Sequence, residues 1–70
     1  MIVGQRVWYH SAVNRKAVEA VVAAVNPDET VDVSFPDRPG VKLSVPVADD
    51  YPVVEIRGQS ISRSYVSVAG

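Results

Sequence analysis

The chain has 70 residues, with seven basic and eight acidic side chains, a net charge of −1 and no cysteine. A chain this short buries only about 60% of its unfolded surface, so one domain over residues 1–70 is expected, without a deep enclosed active site. Without cysteine there is no disulfide, thiolate metal site or cysteine nucleophile, and a single histidine leaves zinc without a usual ligand set.

A near-neutral balance gives no global field to draw a polyanion or an anionic membrane. No apolar run approaches the roughly 20 residues needed to cross a bilayer, and nothing resembles a secretory signal, so a soluble chain with no membrane partner is expected. Sixteen valines stand against one leucine, Leu43. Valine is stiff in a helix and packs well on a pleated sheet, so the composition leans toward β.

Residues 3–11, VGQRVWYHS, place Val3, Gln5, Val7 and Tyr9 on one face and Gly4, Arg6, Trp8 and His10 on the other, the period of two that marks a strand. Asn14, Arg15 and Lys16 then make a polar loop. The run that follows reads two ways. Val18, Val21, Val22 and Val25 fall at i, i+3, i+4 and i+7, a helical stripe that Asn14 is placed to cap. Residues 30–35, TVDVSF, alternate strictly with Val31, Val33 and Phe35 inward, and Pro27 between Asn26 and Asp28 suits a type I turn. A strand after a tight turn needs an antiparallel partner, and the run before the turn is the nearest. The favoured reading is therefore a hairpin, with the helix as the alternative; in the hairpin the consecutive Val21 and Val22 imply a bulge.

Beyond Phe35, Pro39-Gly40 suits a type II turn. Residues 41–47 then alternate Val41, Leu43, Val45 and Val47 against Lys42, Ser44 and Pro46, and Pro46, lacking an N–H, places this strand at a sheet edge. Residues 48–52 read as a loop, 53–57 as a short strand ended by Gly58, and 65–70 as the closing strand. Short strands at intervals of about ten residues predict an all-β fold, a small five- to six-stranded barrel.

The stretches VGQRVWYH and AVVAAVNPDETVDVSF resemble the opening of Src-homology-3-like (SH3-like) barrels of the Tudor and KOW type. ISRSYVSV, through Tyr65 and Val66, resembles the SH3 region in which a single helical turn precedes the last strand. Gly4, Gln5, Val7, Tyr9 and His10 are also similar to the VGDxVLYH opening of short bacteriophage proteins. The resemblance implies an SH3-like β-barrel acting in the bacterial host cytosol or the virion, as a structural or assembly component or as an inhibitor docked on a host protein. There is no acidic aromatic ALYDY stretch and no tryptophan pair, so recognition of proline-rich peptides is not implied. A Tudor aromatic cage needs several rings converging on a cation, and alternation sends Tyr9 and Phe35 inward.

Trp8, on the outward face of the first strand, is the most informative candidate, because large exposed aromatics mark contact sites. The competing reading is that it covers the open end of the barrel. Arg6, His10, Arg15 and Lys16 lie near it in this layout, and Arg38 and Tyr51 extend it from two loops; these seven are the expected partner-binding residues. His10, Ser11 and Asp49 or Asp50 make a triad only on paper, because neighbours on a strand point to opposite faces, so His10 is expected as an exposed strand-end residue. Asp49 and Asp50 lack the spacing of a calcium loop, and the four glycines form no phosphate-binding loop. No catalytic residue, metal or cofactor is expected. The leading expectation for function is a non-enzymatic protein-interaction module, its partner another protein or a second copy in a homo-oligomer covering Trp8 and the Pro46 edge. Nucleic-acid binding of the KOW or Tudor kind through Arg6, Arg15, Lys16 and Arg38 is the alternative. An enzyme assembled at an oligomer interface around His10 ranks last.

Overall fold

The computed structural model describes residues 1–69, which contain seven strands and no helix. The strands are β1 (Arg6–His10), β2 (Ala17–Val25), β3 (Thr30–Phe35), β4 (Arg38–Pro46), β5 (Val53–Ile56), β6 (Gln59–Ser62) and β7 (Tyr65–Val68). Five form one antiparallel sheet in the order β4-β3-β2-β1-β7, and β5 and β6 form a second of their own.

The run before Pro27 is extended, and β2 ladders onto β3. Its helical stripe has a β-sheet cause. Alternation along β2 sends Val18, Ala20 and Val22 toward the core. The register with β3 then shifts between Val22 and Ala24, and Val25 comes opposite the buried Val31. Period-two alternation plus one inserted residue therefore puts valines at 18, 22 and 25 on the core side, with Val25 half exposed at its rim, a spacing that imitates a helix. The bulge sits around Ala23, one step beyond the Val21–Val22 pair that the sequence suggests, and Val21 instead lies opposite Arg6.

The β2–β3 turn is tight because its side chains hold it. The Asn26 N–H donates to the Thr30 carbonyl at 2.9 Å, and Glu29 takes the left-handed φ of 68° used in three-residue hairpin loops. The Thr30 hydroxyl donates to Asp28 Oδ1 at 2.6 Å and the Thr30 N–H to the same oxygen at 3.2 Å, and these bonds hold the Asp28 carboxyl below the usual carboxylate range.

The β3–β4 turn is not at Pro39-Gly40. Phe35 pairs with Arg38 across the two-residue turn Pro36-Asp37, and Pro39-Gly40 is an insertion inside β4, with Gly40 at φ 111°. A second irregularity follows between the Val31–Val45 and Val33–Lys42 pairs, where Ser44 sits at φ 53°. Asp32 Oδ1 secures it, accepting from Asn26 Nδ2 at 3.0 Å and from the Ser44 N–H at 2.9 Å, and these bonds keep the Asp32 carboxyl below its ordinary value. The two interruptions break the alternation expected for residues 41–47. Val45 is buried, whereas Val41, Leu43 and Val47 are exposed. β4 does lie at a sheet edge, as Pro46 implies.

The core occupies one face of the five-stranded sheet. Val7 and Tyr9 from β1, Ala20 and Val22 from β2, Val31, Val33 and Phe35 from β3, Val45 and Val66 are all buried there, with Met1 packed against them. The Tyr9 and Phe35 rings meet edge to face at 5.5 Å. The sheet curls enough for β4 and β7 to touch. A parallel bridge from Val47 to Val66 and the Ala48 N–H donating to the Val66 carbonyl at 3.1 Å join these two edges, and no continuous ladder closes them. The resemblance implies a helical turn just ahead of the closing strand, within ISRSYVSV; residues 63–64 are not helical, and residues 59–62 before them are extended as β6. They pair with β5 through Arg57-Gly58, both at positive φ, 53° and 77°.

Candidate functional site

β1 carries its alternate residues to the outer face of the sheet, away from the core. Trp8 lies in the middle of that face, 42% exposed, opposite Glu19 of β2 and Ser67 of β7. Arg6, two residues before it, pairs with Glu19, so its charge is compensated locally. The sequence places Trp8 outward by alternation alone, and it is there.

On the other side of Trp8 the face becomes an ordered aromatic cluster. The His10 ring stacks on Tyr65 with centroids 4.2 Å apart and planes 2° from parallel, and His10 Nε2 lies 2.7 Å from the Ser67 hydroxyl. Tyr51 meets Tyr65 edge to face at 5.0 Å, and the Arg15 guanidinium covers the Tyr51 ring at 4.2 Å. The Tyr51 hydroxyl donates to the Ser11 carbonyl at 3.3 Å. Burial, with Tyr51, Asp50 and Asp49 close by, pushes the Tyr65 hydroxyl above its ordinary pKa. His10 is therefore half-buried and packed, not the exposed strand-end residue the sequence suggests, because β7 returns Tyr65 directly beside it. The His10–Ser67 contact brings a base to a hydroxyl, yet no carboxylate hydrogen-bonds to either group among the described residues.

Lys16 and Arg38 go elsewhere. They line an open cleft of about 680 Å³ between the 11–18 segment and the β3–β4 hairpin, with Tyr9 and Phe35 at its floor. The Arg38 guanidinium lies over the Phe35 ring at 4.6 Å, which fixes the cation at the cleft wall. Lys42 lines the same cleft, and a smaller hollow of about 270 Å³ sharing Tyr9, Lys42 and Ser64 adds Arg63. The opposite wall is braced: the Ser11 N–H donates to the Lys16 carbonyl at 3.0 Å, and the Ala12 N–H donates to the Ser64 hydroxyl at 2.9 Å.

No family model, curated protein or solved structure matches this chain.

The seven residues singled out from the sequence thus divide between two surfaces. Arg6, Trp8, His10, Arg15 and Tyr51 belong to the outer face of β1 and its flank, while Lys16 and Arg38 belong to the cleft on the core side. Sequence reasoning missed Tyr65 and Ser67, which complete the first surface, and Lys42 and Arg63, which complete the second. The alternation of Tyr65 and Ser67 across the last strand was the signal available for the first pair. No three His, Asp or Glu side chains converge as a metal site among the described residues.

Proposed function

We propose that the chain is a non-catalytic interaction module on an SH3-like barrel, and that it binds a protein partner through the outer face of β1 around Trp8. The curled five-stranded sheet, with edges meeting at Val47 and Val66, supports the barrel reading. One observation carries the binding reading: a large aromatic stands exposed at the centre of a strand whose flanks are already fixed, by the Arg6–Glu19 pair on one side and the His10–Tyr65 stack on the other. A rigid aromatic loses little conformational freedom on binding, which is why tryptophan and tyrosine dominate interface hot spots. Arg6 and Arg15 supply a polar rim.

The test compares wild type with Trp8→Ala in capture from bacterial lysate. The expected result is a protein retained by wild type and lost by the variant. Because Trp8 is the sole tryptophan, its emission also shifts when that purified partner is added. An identical set of captured proteins for both would remove this face from consideration.

A further inference from the structure

The charge of −1 conceals a segregation of charge. Four of the seven basic side chains, Lys16, Arg38, Lys42 and Arg63, line the cleft and its extension, and none of the eight acidic side chains does. Asp37, in the turn beside Arg38, is the acid nearest in sequence. None of the four cations forms an ion pair among the described residues, in contrast to Arg6 on the opposite face. Like charges gathered in a hollow, over a low-dielectric floor of Tyr9 and Phe35, focus a positive potential that the net charge does not report.

The cleft also selects among anions. Base stacking needs an open ring face, but Tyr9 and Phe35 are each 8% exposed, and Arg38 lies over the Phe35 ring. The chain's exposed tryptophan is on the other side of the sheet. What the cleft margin offers instead is aliphatic: Val41 and Leu43, exposed on either side of Lys42, and Val13, 94% exposed on the 11–18 segment. Cations alternating with small apolar side chains complement a chain in which carboxylates alternate with apolar residues.

We infer that this cleft binds an extended acidic peptide segment of a partner protein, its carboxylates meeting Lys16, Arg38, Lys42 and Arg63 and its apolar side chains resting on Val13, Val41 and Leu43. The site lies on a different surface from the Trp8 face and does not depend on it.

Fluorescence anisotropy with a labelled peptide of alternating glutamate and valine, about 10 residues and so about 33 Å when extended, measures the binding. An oligothymidylate of equal charge serves as the competing probe. Wild type and Trp8→Ala are expected to bind the peptide alike, and the double variant Lys42→Glu with Arg63→Glu about tenfold more weakly. Raising the salt from about 0.05 M to about 0.5 M weakens wild-type binding. All the substituted cations are exposed, and circular dichroism checks that the variant is folded; if it is not, Lys42→Gln with Arg63→Gln replaces it, with a smaller loss expected. Absence of peptide binding at low salt, or binding indifferent to these substitutions, overturns the inference. So does tighter binding of the oligothymidylate, which assigns the cleft to nucleic acid, or a dimer that dissociates in the double variant, which assigns it to a second copy. Failure of the Trp8→Ala capture experiment would leave this result standing, and the reverse.

Discussion

The β2–β3 and β5–β6 hairpins are built from the same local parts and meet different fates. Both pair antiparallel strands across a short turn that contains a non-glycine residue at positive φ, Glu29 in one and Arg57 in the other. In β2–β3 the inward side chains Val22, Val31 and Val33 are essentially excluded from water. In β5–β6 the corresponding apolar residues Val53, Ile56 and Ile61 are 62%, 53% and 42% exposed, and neither strand packs on any strand but its partner. Its attachments lie at its base, where the Arg63 N–H donates to the Pro52 carbonyl at 2.7 Å and Arg15 Nη2 reaches the Ser62 hydroxyl at 3.4 Å. Turn chemistry makes a hairpin; burial against a third strand makes it stable.

That comparison breaks most visibly at Val33, which has no exposed surface. Val33→Ala removes two buried carbons and leaves a cavity in the core, and is expected to cost about 2–3 kcal/mol of unfolding free energy in urea titration. A loss below about 0.5 kcal/mol would mean that the two hairpins are equally superficial.

The second test uses acid. Asp32 joins the β2–β3 hairpin to Ser44 of β4, and its carboxyl is held below the ordinary value by Asn26 and by the Ser44 N–H. A carboxylate with a lowered folded-state pKa adds stability that is complete above the unfolded value and is lost as pH falls through the folded one. Wild type is therefore expected to be more stable than Asp32→Asn at neutral pH, with the two curves converging as pH drops below the aspartate range. Parallel curves between about pH 7 and about pH 2 would remove Asp32 from that role.

Glu29→Gly relieves the backbone at φ 68°. It is expected to stabilise the chain by about 0.5–1 kcal/mol, read from the midpoint of thermal unfolding. The smallest effect is expected in the other hairpin: Ile61→Ser should change global stability by less than about 0.5 kcal/mol, while amides of β5 and β6 exchange with solvent well before those of β2 and β3. Slow exchange throughout β5–β6 would dissolve the distinction between the two regions.

The same contrast explains what the sequence discloses. β1 and β3 are legible because their alternation is unbroken and each carries an aromatic that the core takes, Tyr9 and Phe35. β2 is ambiguous because its bulge converts a period of two into an apparent helical period, and the tight turn at Pro27 resolves it. β4 misleads because a proline-glycine pair reads as a turn whether it ends a strand or swells it, and only the pairing of Phe35 with Arg38 separates the two cases. β6 has no buried face, so it carries no alternation to find. Of the candidate site, Trp8 follows from alternation on its own strand. The His10–Tyr65 stack and the hollow that Lys42 and Arg63 both line bring together residues far apart in sequence, which a pattern read along one strand does not contain.

The irregular backbone of β4 makes its open edge a poor template for a further strand. An open sheet edge is a template on which another strand can polymerise, and a chain with sixteen valines is rich in segments suited to that. β4 presents such an edge, but Pro39 and Pro46 carry no N–H, Gly40 and Ser44 turn the backbone to φ of 111° and 53°, and Lys42 puts a charge between them. A growing fibril needs several consecutive straight, unoccupied donors and acceptors, and this edge offers no such run.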